Sequence, residues 1–163
     1  MNKLPITICA ALSVATMTTA QNNAIFPPDY TAVPEGPFNS PNLPLARGTS
    51  RVQCLYDAID VTQLGFRQDG STTQIDAGRS LQLEIRMGWS TEDHQSMTTN
   101  FDNNYESPPV TVFGPALFVL PDLRDAAQPL TDGEFYINLT TPFSYVPNGR
   151  NLVVEYRVFG TSV

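Results

Sequence analysis

EFYINLTTPFSYVPNGRNLVVEYRVF, residues 134–159, decides the fold. In its first half Phe135, Ile137 and Leu139 fall on one face, against Glu134, Tyr136 and Asn138 on the other. In its second half Leu152, Val154, Tyr156 and Val158 alternate with Val153, Glu155 and Arg157. A period of two is what a pleated strand with one buried face requires, because successive side chains point to opposite sides. Between the halves Pro142 and Pro147 lack the N–H of a central ladder, and Asn148-Gly149 tolerates the positive φ of a tight turn. The stretch reads as two core strands joined by an aromatic-bearing loop over residues 141–150.

The same reading extends outward. Leu81, Leu83, Ile85, Met87 and Trp89 alternate with Gln82, Glu84, Arg86 and Gly88, and five apolar residues at every second position do not fit a helical period. Val52, Cys54, Tyr56 and Ala58 alternate with Gln53, Leu55 and Asp57. Residues 59–67 follow, with Leu64 and Phe66 inward and Asp69-Gly70 as a turn. Residues 110–112 and 116–120 supply one or two strands, broken by Gly114-Pro115. A polar connection over 121–133 holds one helical turn near Leu123. The expected fold is all-β: an antiparallel β-sandwich, jelly-roll-like or Ig-like, of seven or eight short strands.

Residues 1–20 read as a signal peptide. Lys3 supplies a basic start, an apolar run follows, and Thr18-Thr19-Ala20 offers small residues for cleavage before Gln21. The apolar run is too short to span a bilayer, so no membrane span is expected in the mature chain. Residues 21–48 carry six prolines and read as an arm over the sandwich, anchored by Ile25, Phe26, Phe38, Leu43 and Leu45. Residues 49–163 form the β-sandwich domain. The expected address is secreted, periplasmic or cell-surface.

Charge and cysteine content narrow the chemistry. Lys3 is the single lysine; without residues 1–20, eight arginines against sixteen acids leave a net charge of 8 − 16 = −8. Nucleic acid is a poor partner for such a chain, because phosphate binding rests on clustered cations. With Cys9 in the leader, Cys54 has no intramolecular disulfide partner and reads as a small buried hydrophobe. One histidine, His94, with Asp93 as its chain neighbour does not make a Ser-His-Asp arrangement. One His and one Cys do not make a usual zinc site.

Three segments carry a resemblance: Arg51-Val52-Gln53-Cys54-Leu55-Tyr56-Asp57-Ala58, LQLEIRMGWST over residues 81–91, and LTTPFSYVP over residues 139–147. In this order they resemble a group of exported bacterial proteins of unknown function that often carry a PEP-CTERM-type sorting tail. The resemblance covers most of the chain after the leader. It implies a β-sandwich at or outside the cell envelope, and no known activity. That group usually continues to a Pro-Glu-Pro motif, an apolar helix and a basic end, whereas this sequence stops at Val163; a soluble relative or a truncated sequence is expected.

Residues 90–109 form a long polar loop, and such loops often carry function. Trp89, Phe101, Tyr105 and Tyr145 are candidate ligand-binding aromatics, suited to stacking on sugars beside amides and carboxylates. Asp93, Asp102 and Asn104 are candidate oxygen ligands for calcium; no other cofactor is expected. Glu84 and Glu155 occupy outward strand positions and read as solvated; as a pair they are the glycoside hydrolase alternative. Asn138-Leu139-Thr140 matches a glycosylation sequon but reads as cross-strand pairing residues. The expected function is an exported, non-catalytic structural or adhesive module, with extracellular polysaccharide or envelope components as partners; the alternative is a calcium-assisted carbohydrate-binding module.

Overall fold

A computed structural model describes residues 44–45, 48–56, 61–66, 78–121, 135–144 and 149–162. The leader, nearly all of the Pro-rich arm, the Asp69-Gly70 turn, the helical turn near Leu123 and Tyr145 lie outside the described residues. Six strands lie within them: β1 Ser50–Tyr56, β2 Val61–Phe66, β3 Ser80–Ser90, β4 Val110–Val119, β5 Phe135–Phe143 and β6 Asn151–Ser162. They form two antiparallel sheets, a larger one in the order β1-β6-β3-β4 and a smaller one pairing β2 with β5.

The core lies between them. Leu81, Leu83, Ile85 and Met87 of β3 and Leu152, Val154, Tyr156 and Val158 of β6 are buried, as alternation requires. The smaller sheet faces them with Ile137 and with half-buried Leu64, Phe66, Phe135 and Leu139. Aromatic pairs lock the two layers together. Phe66 meets Tyr156 edge-on at 5.7 Å, Phe135 lies 6.1 Å from Phe118, and Trp89 tilts against Phe143 at 5.0 Å. Leu45 from the arm is also buried, and its carbonyl accepts a hydrogen bond from Arg79 Nη2 at 2.6 Å.

Two features differ from the sequence reading. Gly114-Pro115 does not break the fourth segment; β4 runs continuously through a cis peptide bond at that step, with its register against β3 shifted. Gly114 has φ of 73° and packs so tightly that a Cβ there would stand 2.2 Å from the Leu83 carbonyl oxygen. Only glycine fits, so residues that look like a chain terminator instead form a bulge. β5 also reaches further than expected: Phe143 pairs with Val61 across an irregular register. The amides of Gln63 and Asn138, directly opposite in the ladder, hydrogen-bond at 2.6 Å, the cross-strand pairing read from the sequon.

Gly149 shares the left-handed conformation, with φ of 74°, but a Cβ there would meet nothing within 4 Å. Gly149→Ala adds backbone strain alone, whereas Gly114→Ala adds the carbonyl clash. In urea unfolding, Gly114→Ala is expected to lose more stability than Gly149→Ala by more than about 1 kcal/mol; equal losses would contradict the tight bulge.

Candidate functional site

Two tripeptides of one kind build the polar centre of the molecule. Glu84-Ile85-Arg86 in β3 and Glu155-Tyr156-Arg157 in β6 each place a carboxylate and a guanidinium two residues apart, on the face turned away from the core. Antiparallel pairing reverses one against the other, so Glu84 stands opposite Arg157 and Arg86 opposite Glu155. Opposite charges across a ladder attract. Arg157 Nη1 donates to Glu84 Oε2 at 2.8 Å, and Arg86 Nη1 lies 3.6 Å from Glu155 Oε1. β1 adds a third row, setting Gln53 opposite Glu155 and Arg51 opposite Arg157. Arg51 Nη2 and Gln53 Nε2 both donate to Glu155 Oε2, at 3.0 and 2.7 Å.

Residues 91–109 fold over this lattice. At its ends the Glu92 N–H donates to Ser90 Oγ, Asn151 Nδ2 to the Glu92 carbonyl, and the Glu106 N–H to the Trp89 carbonyl at 2.9 Å, while Arg150 pairs with Glu106. In its middle lies a 3₁₀ turn, Phe101–Asn104, of which Asn104 is the buried residue. Asn104, 1% exposed, donates to Gln53 Oε1 and the Thr98 carbonyl and accepts from the Thr98 N–H. Gln53 Nε2 donates to the Phe101 carbonyl as well. Tyr105 donates its hydroxyl to Glu155 Oε2 at 3.3 Å, and its ring lies over Gly88, where a Cβ would meet Cδ1 at 2.7 Å. Glycine at this outward position is what lets the ring down onto the sheet.

Glu155 thus ends 0% exposed and Glu84 9% exposed. The expectation that both are solvated strand positions is overturned: Tyr105 of the polar loop lies against Glu155, and arginines meet both carboxylates. Burying a charge costs several kcal/mol unless it is closely paired. Here three guanidiniums, Arg51, Arg86 and Arg157, face three carboxylates, Glu84, Glu155 and Asp102. Burial of Arg51 acts to lower its pKa, but hydrogen bonds to Glu155 and Asp102 outweigh it and hold the group above its ordinary value. Asp102, bonded to Arg51 Nη2 at 2.6 Å, is held below the ordinary carboxylate value by that hydrogen bond. Burial, and then the Glu155 charge, push the Tyr105 phenol up, so it acts as a donor. Glu155 Oε1 accepts no hydrogen bond and lies 3.7 Å from Arg157 Nε.

The sequence-derived candidates divide accordingly. Phe101, Tyr105, Asp102 and Asn104 come together on one turn and are engaged with the sheet below; Arg51 lies 4.8 Å over the Phe101 ring. Trp89 packs against Phe143 between the layers. Asp93 closes its own turn, accepting from the Gln95 and Ser96 N–H groups, which lower its pKa. Tyr145 lies outside the described residues. Among the described residues no three His, Cys, Asp or Glu side chains converge on a point that would hold a metal ion. His94 is exposed, and burial pushes the Cys54 thiol up. Sequence reasoning missed the hub itself, Glu155 with Arg51, Gln53, Arg86 and Arg157. The signal was present in the repeated Glu-x-Arg and in Arg51-x-Gln53. No family model, curated protein or solved structure matches the chain.

Glu155→Ala would leave three buried or half-buried guanidiniums facing a gap, and is expected to cost about 3–5 kcal/mol in denaturant unfolding. Glu155→Gln, which keeps the shape and an acceptor, should cost less. Asp102 has a lowered folded-state pKa, so its contribution is present above the ordinary carboxylate value and is lost as pH falls through the folded value. An NMR titration should place Asp102 below 3.8 in the wild type and higher in Arg51→Ala; an unshifted Asp102 would contradict the pairing.

Proposed function

We propose that the protein is an exported, non-catalytic β-sandwich that acts as a structural or adhesive module in the envelope or extracellular matrix. The observation that carries this reading is the engagement of Glu84 and Glu155. They are the two carboxylates on one sheet face that a glycoside hydrolase would require, and each is bonded to arginine, Glu155 also beneath Tyr105. Glu84 Oε2 and Glu155 Oε2 accept from cross-strand donors, an arrangement that suits holding a surface together rather than attacking a bond. The leader-like residues 1–20, the acidic composition and the resemblance to exported envelope proteins support the same reading. Extracellular polysaccharide or envelope components are the partner class.

Expression of the full chain in a bacterial host, with fractionation and N-terminal sequencing, tests the address. The expected product lies outside the cytoplasm and begins at Gln21. An unprocessed cytoplasmic product, or turnover of a glycoside substrate that disappears in Glu84→Gln or Glu155→Gln, would overturn the proposal.

A further inference from the structure

The two sheets differ in what they show to solvent. Neither β2 nor β5 contains a charged residue, in a chain with twenty-five of them. The outward face of this smaller sheet carries Tyr136 opposite Gly65 and Asn138 opposite Gln63. Tyr136 is 44% exposed. A Cβ at Gly65 would meet Tyr136 Cε1 at 2.8 Å, Cδ1 at 3.1 Å and Cζ at 3.8 Å, so the side of the ring lies down on the glycine backbone. The missing side chain thus seats an aromatic ring on the sheet instead of leaving it to wave in solvent. One step along the ladder the Gln63–Asn138 hydrogen bond fixes two amides in one orientation, leaving the Asn138 NH2 and the Gln63 carbonyl oxygen directed away from their mutual bond.

An aromatic ring held against the sheet, beside oriented amides and with no charge on either strand, is complementary to one class of ligand. A pyranose ring has an apolar C–H face to lie on the ring and equatorial hydroxyls to bond with amides. Among the described residues of these two strands an acidic peptide, a phosphate or a nucleic acid would find no cation, and a basic partner no carboxylate. We propose that the outward face of β2 and β5 binds a neutral polysaccharide, with Tyr136 as the stacking residue, Gly65 as the residue that seats it, and Gln63 and Asn138 as the hydroxyl-binding pair. This rests on the adhesive reading and names its ligand. The site differs from the loop aromatics Phe101 and Tyr105, which are engaged on the larger sheet.

Affinity electrophoresis of the mature protein in gels cast with soluble β-glucan, xylan or mannan, and with alginate as the charged comparison, tests the proposal. Retardation by at least one neutral polysaccharide and not by alginate is expected. Tyr136→Ala should weaken it about 30-fold, the scale of truncating an aromatic anchor. Gly65→Ala, which keeps the ring but lifts it from the sheet, should weaken it as well. Tyr136→Phe should retain most of the binding, and thermal unfolding should confirm that each variant is folded. No retardation in any neutral gel, or retardation unchanged in both Tyr136→Ala and Gly65→Ala, overturns the proposal. So does retardation abolished by EDTA, which would place the ligand at a calcium site. Binding to isolated envelopes that ignores Tyr136 would sink this site while leaving the adhesive reading intact.

Discussion

Glu155 is shut off from water and so must not be left unpaired, and the outer half of the molecule is built around that constraint. A carboxylate at the middle of a central strand, with strands on both sides, has neighbours fixed by the ladder: Gln53 across one side and Arg86 across the other. Those neighbours and Arg51 supply its partners, Tyr105 supplies a further donor from above, and Gly88 leaves room for the Tyr105 ring. Each part presupposes the others. Without the loop, the lattice would be an exposed set of ion pairs, worth less than about 1 kcal/mol each. Without the lattice, the loop would cover bare charge.

This division separates two kinds of specification. The core side is a matter of apolar area, about 1.5–3 kcal/mol for each fully buried Leu, Ile or Val. A slip of one residue in β3 or β6 would turn the entire set outward. The outer side contributes little to that parity. What it decides is which chain segment lies on the sheet, since only donors and acceptors in the right places satisfy Glu155, Gln53 and Asn104. The larger sheet therefore faces outward with its charges mutually neutralised, and the smaller sheet with none on either strand.

Much of this was legible in the residues. Alternation in 81–89, 135–139 and 152–158 identified the inward face of three strands, because parity follows directly from the pleat. Parity does not say what covers the opposite face, and there the reading failed: Val153, Glu155 and Gly88 look like solvent positions in a pattern of two, yet all are buried. Residues 90–109 looked functional for their polarity, but a loop lying on a charged sheet needs the same polar residues as one that binds a ligand. The Glu-x-Arg repeat could have distinguished the cases, since antiparallel pairing makes it self-complementary. Gly114-Pro115 was ambiguous for another reason. Glycine and proline end strands and also build bulges, and only the approach of the Leu83 carbonyl separates the two.

Amide hydrogen exchange of the wild-type protein, resolved at single residues, tests the central claim most directly. The Thr98 N–H bonds to Asn104 Oδ1 at 2.8 Å and the Glu106 N–H to the Trp89 carbonyl at 2.9 Å, so both should exchange far more slowly than a free peptide, together with the strands they cover. Exchange of both at free-peptide rates, with β3 and β6 still protected, would mean that residues 91–109 do not close over Glu155.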